Sequence, residues 1–215
     1  MSATELERTS LVDRLRRYLA DIPQSERRIV AIAGAPASGK STVASELERR
    51  LNDVELGSTA MVPMDGFHYD DEVLVPRGWR PRKGAPHTFD VGGYAAALER
   101  LRASAEDAVA VPRFDRSVEI ARAGAILIER GVRLILTEGN YLLLDDPPWS
   151  SLRPHFDVTV LIVADMKTLE ARMRQRWVEY GLEEEVIKAR LQENDLPNAR
   201  LVCERSTEPD WVIRS

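Results

Sequence analysis

Cysteine is nearly absent from this chain of 215 residues, which contains only Cys203. A single cysteine excludes an intramolecular disulfide and fits a reducing compartment. Cys203 follows the apolar pair Leu201 and Val202, and an isolated cysteine in such a stretch usually serves as packing. We therefore predict a buried thiol without a catalytic role.

The chain also lacks a long apolar run. No stretch approaches the ~20 apolar residues of a membrane-spanning helix, and residues 1–10 are too polar to form the core of a signal peptide. The net charge is −5 at pH 7, which leaves no broad positive field for a nucleic-acid backbone. The sequence therefore predicts a cytoplasmic protein that binds neither membranes nor nucleic acids.

The overall composition is ordinary for a globular protein, with 44% hydrophobic and 30% charged residues. A chain of this length can build one continuous core of substantial size. We therefore predict a single domain over residues 1–215. The sequence leaves both a monomer and a homodimer open.

Apolar periodicity indicates the fold class. Strand-like runs cover residues 29–33, 58–64, 132–137, 158–164 and 211–213. Helical patterns cover residues 5–19, 40–52, 93–103, 119–129, 167–180 and 183–194, although Gly124 weakens the fourth. Alternating strands and helices are typical of an α/β fold. We therefore predict a three-layer sandwich whose mostly parallel sheet has five strands.

Residues 34–41 fit the phosphate-loop pattern G-x-x-x-x-G-K-[ST]. They lie between a predicted strand and a predicted helix, where backbone N–H groups and the positive end of the helix dipole converge on a phosphate. Lys40 would add charge at the β- and γ-phosphates, and the Ser41 hydroxyl would hold Mg²⁺. The predicted nucleotide-binding residues of this segment are Gly34, Ala35, Pro36, Ala37, Ser38, Gly39, Lys40, Ser41 and Thr42.

Carboxylates follow three other predicted strands, at Asp65, Glu138 and Asp165. Ligands of a parallel sheet bind beyond the carboxyl ends of its strands. Asp65 is our candidate for the base that orients and deprotonates the hydroxyl receiving a phosphoryl group. Glu138 ends an apolar strand in the manner of a Walker B acid, so we assign it to Mg²⁺ or its waters. Either acid alone would be read as a turn or loop residue, so both assignments depend on the phosphate loop.

The predicted helix at residues 167–180 carries three arginines. Its apolar stripe consists of Leu169, Met173, Trp177 and Tyr180. This stripe places Arg172 and Arg176 on one flank and Arg174 on the other. Like charges four residues apart destabilise a helix by roughly 0.2–0.5 kcal/mol unless an anion neutralises them. We therefore predict that Arg172 contacts the nucleotide, that Arg176 is a lid arginine acting on transition-state charge, and that Arg174 is solvated. A surface pair between Arg176 and Glu179 is the alternative.

Residues 66–90 lack convincing periodicity but contain four aromatic side chains. Segments of this length in a compact domain are usually functional or disordered, and the aromatic residues argue against disorder. We interpret residues 66–90 as a substrate loop.

Five segments, at residues 34–41, 64–67, 82–90, 137–140 and 193–197, together resemble the family of bacterial-type pantothenate kinases, uridine kinases and phosphoribulokinases. The match covers about residues 28–202 in the same order, and it looks closest to a short bacterial branch described as fructose-transport-system or sugar kinases. The resemblance implies a P-loop NTPase fold with a helical lid over residues 167–194. It also implies ATP and Mg²⁺ as cofactors and transfer of the γ-phosphate to a hydroxyl of a small metabolite, a sugar such as fructose being one candidate.

The resemblance implies roles for individual residues as well. Lys40 lies on the phosphates, Asp65 is the base, Arg176 belongs to the lid, and Lys83 and Asn194 lie near the acceptor.

The chain departs from pantothenate kinases where they carry a Tyr-x-His element and a lid tyrosine. Phe114 and Arg116 replace the first, and Met173 the second. The lost hydroxyl and imidazole would leave polar groups of pantothenate unpaired, which disfavours that acceptor. Arg113 and Arg116 would instead bind a polyhydroxylated or anionic substrate, with His68 and His87 as further candidates for the same pocket. A structural or solvated role is the alternative for both histidines. Exposed pairing with Asp115 is the commoner role of such arginines.

Other protein classes fit less well. The Asn-Lys-x-Asp element of regulatory GTPases and the Leu-Ser-Gly-Gly-Gln element of transporter ATPases are both absent. A nucleoside kinase or a pantothenate-type kinase remains an alternative. A nucleotide-binding regulatory protein without catalysis is an alternative of another class, but such a protein needs neither a base such as Asp65 nor a lid arginine such as Arg176.

Overall fold

The computed structural model describes residues 3–215. Its strands are β1 (Thr4–Glu5), β2 (Arg28–Gly34), β3 (Thr59–Pro63), β4 (Ala108–Asp115), β5 (Ile120–Glu129), β6 (Leu134–Gly139), β7 (Val158–Val163) and β8 (Trp211–Arg214). Its α-helices are α1 (Arg8–Ala20), α2 (Lys40–Asn52), α3 (Asp71–Leu74), α4 (Val91–Ala103), α5 (Met166–Glu179), α6 (Glu184–Arg190) and α7 (Leu196–Arg205).

Six strands within residues 3–215 form one sheet in the order β1-β8-β7-β2-β6-β3, and every neighbouring pair is parallel. Residues of β2 alternate between two hydrophobic clusters. Val30 and Ile32 pack with apolar residues of α1 and α2, whereas Ile29 and Ala31 pack with those of α4, α5 and α7. The sheet is therefore the middle layer of a three-layer sandwich, because strand residues point alternately to its two faces.

The predicted fold class is confirmed, but the sheet has six strands rather than five. The additional strand, β1, consists of two residues paired with β8, and two residues are too short for a recognisable apolar alternation. The first helix accordingly begins at Arg8 instead of residue 5.

The predicted helix at residues 119–129 is wrong. These residues form β5, which pairs with β4 in a two-stranded antiparallel hairpin outside the main sheet. Ile126 and Ile128 pack against the core while Leu127 between them is exposed, which is the alternation of a strand. Gly124 has φ of +66°, a left-handed conformation that an α-helix cannot contain. The spacing of the small apolar residues in this segment also fits an amphipathic helix, which explains the wrong prediction.

The lid region also differs from the expected helix at residues 183–194. Helix α6 ends at Arg190, a π-helical segment spans Leu191–Asp195, and α7, which was not predicted, follows without a break. Pro197 is the second residue of α7, directly after the π-helical segment, and it lacks the N–H that the other residues of a continuous helix donate. The proline here accompanies a local change of helix type and does not end the helical segment.

Two smaller expectations concern the surface. Cys203 is exposed rather than buried, because α7 turns its neighbour Val202 toward the core instead. None of the helices within residues 3–215 is both long and apolar enough to cross a membrane.

The substrate loop at residues 66–90 is ordered by short helical turns rather than by regular strands. Besides α3, it contains 3-10 turns at Met64–Phe67, Arg80–Arg82 and Pro86–Thr88. An isolated bridge between His68 and Phe89 closes the loop on itself near its two ends. This closure brings the start and the end of the loop to the carboxyl edge of the sheet.

Candidate active site

The phosphate loop leaves β2 and leads directly into α2. Gly34 has no room for a side chain, because a Cβ atom there would lie 2.6 Å from Ser38 Oγ and 2.7 Å from the carbonyl oxygen of Ile162. Gly39 precedes α2 with φ of +87°, a conformation that residues with side chains rarely adopt. Both glycines of the pattern are thus required by the backbone, and the loop presents the first N–H groups of α2 to a cavity of about 390 Å³.

Sheet order explains how the charged residues meet. Strand β6 lies between β2 and β3, and its Glu138 is in register with Ile32 of β2 and Pro63 of β3. After Ile32 the chain continues through the phosphate loop to Lys40, and after Pro63 it continues to Asp65. Lys40, Glu138 and Asp65 therefore line one cavity at adjacent strand ends.

The electrostatics of Lys40 reflect this arrangement. Burial lowers the pKa of the Lys40 ammonium, while the carboxylates of Glu138 and Asp65 act in the opposite direction. Burial likewise raises the pKa of the Glu138 carboxyl, and Lys40 opposes that shift. Each charge loses hydration and is partly compensated by the other, so the cavity holds a partly desolvated pair of opposite charges.

Ser41 Oγ donates a 3.1 Å hydrogen bond to Glu138 Oε2. A hydroxyl and a carboxylate are the oxygen ligands that Mg²⁺ prefers, and Mg²⁺ usually takes its remaining ligands from phosphates and water. Within residues 3–215, no group of three or more His, Cys, Asp or Glu side chains forms a metal site made of protein alone. The donor set thus fits a metal that shares its coordination with a nucleotide.

Asp65 lies in the 3-10 turn after β3, and its Oδ2 accepts a 2.6 Å hydrogen bond from Arg116 Nη2. Arg116 comes from the turn between β4 and β5. The close approach of the hairpin depends on Gly66, where a Cβ atom would collide with the carbonyl oxygen of Pro112. The hairpin that the sequence did not predict therefore supplies the cation beside the candidate base.

His68 packs between two aromatic rings, with ring centroids 4.0 Å from Phe89 and 4.7 Å from Phe114. Its Nδ1 lies 2.7 Å from the carbonyl oxygen of Asp65, and because a carbonyl only accepts, Nδ1 carries the proton in this hydrogen bond. Burial lowers the pKa of His68. The neutral ring therefore directs Nε2 as an acceptor and lines the cavity.

Lys83 and Asn194 reach the same cavity but are already engaged within the protein. The side chain of Lys83 is only 7% exposed, and its Nζ donates to Asp71 Oδ1 at 2.7 Å and to the Glu119 carbonyl oxygen at 2.8 Å. Asn194 Oδ1 accepts from Arg82 Nε at 3.0 Å, and Asn194 Nδ2 donates to the Lys83 carbonyl oxygen. Both residues tie the substrate loop to its neighbours as well as lining the cavity.

The three arginines of α5 separate as their helix faces predict. Arg172 lines the cavity, and its Nη1 donates to Ser215 Oγ at 3.0 Å and to the Ala37 carbonyl oxygen at 3.4 Å. Arg176 also lines the cavity, and its Nε is buried without a hydrogen-bond partner among residues 3–215. Arg174 points away and pairs with Glu184 of α6.

Three residues that the sequence singled out lie elsewhere. Arg113 is exposed on β4 and does not line the cavity. His87 does not line this cavity and instead lines a second one. Asp165 is the N-cap of α5, where its Oδ1 accepts from the Thr168 N–H, so this strand-end acid has a structural role. Proximity in sequence to a strand end did not by itself place a side chain in the site.

Sequence reasoning missed part of the lid. Trp177 was assigned to an apolar stripe, yet its Nε1 donates a 2.6 Å hydrogen bond to Asp195 Oδ2 in the cavity wall. The guanidinium groups of Arg176 and Arg190 each lie 4.7 Å from the centre of the Trp177 ring. Asp195 lies in the segment at residues 193–197 that carries the family resemblance, whereas no motif indicated Arg190.

Known proteins with similar sequences and structures include several kinases, although no protein-family model matches the chain. A structure from Silicibacter sp. TM1040, described as a candidate fructose transport system kinase, is 40% identical with a TM-score of 0.88, over 96% of this chain and 98% of that one. The Schizosaccharomyces pombe protein C227.14, described as a candidate uridine kinase, is 32% identical over 90% of this chain and 85% of its own. A pantothenate kinase of Enterococcus faecalis is 28% identical over 69% of this chain and 49% of its own.

The sheet order, the phosphate loop and the acids at neighbouring strand ends define a P-loop nucleotide-binding protein. With relatives above 30% identity that align over most of both chains, the protein belongs to the P-loop family of small-metabolite kinases that includes uridine kinase-like proteins and pantothenate kinases.

Proposed function

We propose that the protein is an ATP-dependent kinase that transfers the γ-phosphate to a hydroxyl of a small metabolite. The observation that carries the proposal is the meeting of Lys40, Glu138 and Asp65 in one cavity, from the ends of three adjacent strands. Phosphoryl transfer depends mainly on positioning and on stabilising charge, and these residues supply a cation, a metal-binding acid and a base.

The nucleotide phosphates bind the N–H groups at the start of α2 and the Lys40 ammonium. Mg²⁺, held by Ser41 and Glu138, neutralises phosphate charge when it is bound. Arg176 lines the cavity and its buried Nε has no hydrogen-bond partner among residues 3–215, which is consistent with an anionic ligand at this place.

Asp65 accepts the proton of the acceptor hydroxyl as the new P–O bond forms. Arg176 stabilises charge on the transferred group, and Arg172 contacts the nucleotide from the same helix. On the acceptor side, Arg116 is beside the base, and His68, Lys83 and Asn194 form the wall. Arg113 is removed from this set, because it lies outside the cavity.

A sugar such as fructose is the acceptor that we favour, since the relative described as a fructose transport system kinase has 40% identity over nearly the full length of both chains. A nucleoside is the alternative, supported by the relative described as a uridine kinase. Pantothenate is disfavoured, because Phe114 and Arg116 stand where its kinases present a tyrosine and a histidine.

A screen for ADP formation over sugars, nucleosides, hydroxy acids and pantothenate tests the proposal, with product mass identifying the acceptor. Asp65→Asn serves as the matched control, since it retains the size of the side chain and removes the base. ADP formation that depends on one acceptor and is lost in Asp65→Asn supports a kinase. Tight ATP binding without transfer to any compound would instead favour a regulatory nucleotide-binding protein.

A further inference from the structure

A second cavity lies behind the substrate loop, and the proposed phosphoryl transfer does not use it. Its volume is about 710 Å³. Five rings line it, from Tyr69, Trp79, His87, Phe89 and Trp149. We call it the aromatic cavity. It is a cleft open to solvent rather than an interior void, because Arg77, Pro147 and Pro148 in its wall are exposed.

The walls of the aromatic cavity are fixed by contacts that do not depend on a ligand. Trp149 is 1% exposed, its Nε1 donates to the Pro86 carbonyl oxygen at 3.2 Å, and its ring packs edge-on against Phe89 at 5.6 Å. The rings of Trp79 and His87, which also line the cavity, pack edge to face with centroids 5.2 Å apart. A preformed site loses little conformational entropy when a ligand binds, and pockets of ~300–1,000 Å³ suit small molecules.

The polar groups around the cavity restrict the kind of ligand. Asp146 is already paired with Arg205 at 2.7 Å. Arg77 is exposed at the mouth, lies 5.6 Å from the centre of the Trp79 ring and uses one nitrogen on the Val73 carbonyl oxygen. Its guanidinium has five N–H donors, so it can also bind an anion. The chemistry therefore combines flat apolar walls with one cation at the entrance.

We propose that the aromatic cavity is a second ligand site, for a planar aromatic molecule of one or two fused rings with an acidic group directed to Arg77. Offset and edge-to-face packing on the three rings that are not buried, those of Tyr69, Trp79 and His87, binds the flat body. The aromatic cavity is distinct from the nucleotide and acceptor sites. The Phe89 side chain lines both cavities and therefore lies between them. The Phe89 ring also stacks on His68, whose ring bonds the backbone of Asp65.

The three histidines of the chain provide a direct test by NMR with 8-anilinonaphthalene-1-sulfonate as the probe. His87 lines the aromatic cavity, His68 lines the phosphate-loop cavity, and His155 lines neither. We expect saturable shifts of the His87 ring signals while those of His155 stay in place. Shifts of His68 without His87 would place the probe in the other cavity and overturn the proposal, and so would the absence of any shift.

A pair of valines on the substrate loop gives a matched mutational test. Val73 lines the aromatic cavity, whereas Val75 is 61% exposed and does not. We expect Val73→Trp to fill the cavity and weaken probe affinity at least about tenfold, and Val75→Trp to leave it unchanged. Equal affinities in two folded variants would overturn the proposal. If Val73→Trp fails to fold, the histidine shifts of the wild-type protein decide.

Discussion

Arg116 Nη2 donates a 2.6 Å hydrogen bond to Asp65 Oδ2, which places a cation of the β4–β5 hairpin directly on the candidate base. The side chain of Arg116 is 61% exposed and that of Asp65 is 24% exposed. An ion pair this open to solvent contributes at most about 1 kcal/mol to stability, so its main consequence lies in the site. An acceptor with polar or anionic groups can exchange for the carboxylate at the same guanidinium.

We expect Arg116→Ala to raise the KM of the acceptor roughly tenfold to a hundredfold, because the acceptor loses one charge-assisted hydrogen bond. The melting temperature should change little. Arg113→Ala is the matched control, because Arg113 lies on the same hairpin outside the cavity. Steady-state kinetics and thermal melts on both variants check this. Equal kinetic losses in the two would contradict the assignment of Arg116 to the acceptor site.

Asp65→Asn should separate nucleotide binding from chemistry. Removing a general base lowers turnover by roughly 10²–10⁴-fold, while ATP affinity should survive because the phosphate loop is untouched. Calorimetric titration with ATP and acceptor turnover are the two measurements. A variant that keeps more than about a tenth of wild-type turnover falls outside that range and would redirect the search to His68, whose Nε2 can accept a proton.

Arg176→Ala should lower kcat more than it lowers ATP affinity, since a lid arginine acts chiefly on charge that develops in the transition state. Arg174→Ala should be nearly silent, because Arg174 pairs with Glu184 outside the cavity. Comparable losses of kcat at both positions would show that the faces of α5 do not divide the roles as proposed.

Lys40→Ala should weaken ATP binding without unfolding the protein, because Lys40 faces the cavity rather than the hydrophobic core. Calorimetry measures the affinity, and circular dichroism verifies the fold. If a folded Lys40→Ala variant binds ATP as tightly as the wild type, the phosphate-binding assignment of residues 34–41 is wrong.

Asp195 is predicted to position Arg176, whose Nη2 lies 3.9 Å from Asp195 Oδ2, and to hold Trp177 by its hydrogen bond. Asp195→Asn keeps an oxygen for the Trp177 indole but removes the charge that attracts Arg176. The Arg176 guanidinium should then be less well positioned, so kcat should fall although Arg176 itself is unchanged. Asp195→Ala also leaves the indole N–H unpaired and should cost about 1–3 kcal/mol of stability. If Asp195→Asn has normal kcat, Asp195 has only a structural role.

The same substitution predicts a change in pH dependence. Burial raises the pKa of the Asp195 carboxyl, although Trp177, Arg176 and Arg190 act in the opposite direction. A raised pKa in the folded state means that the folded protein binds this proton more readily than the unfolded chain does. The free energy of unfolding therefore increases as pH falls through the raised pKa toward the ordinary pKa of an aspartate. Thermal melts of Asp195→Asn should lack that contribution. Superimposable pH profiles of the two proteins would contradict the raised pKa.

The sequence by itself determined the parts that are local in the chain. The phosphate loop was recognisable because a strand, two glycines and a helix start follow one another within a few residues, and the structure requires both glycines. The division of Arg172 and Arg176 from Arg174 followed from helix geometry alone. The strands of the main sheet other than β1 were found because their apolar continuity or alternation exceeds what a loop would show.

Only the tertiary structure decided what depends on pairing between distant segments. The β4–β5 hairpin was misread as a helix because the strand character of β5 comes from its partner, and spacing of small apolar residues is ambiguous without it. Arg113 and Arg116 are the same residue type, three positions apart. The turn after β4 nevertheless directs Arg116 to Asp65, whereas Arg113 is exposed to solvent. The aromatic cavity likewise joins residues 69–89 to residues 144–149 and 201, and no local pattern contains that contact.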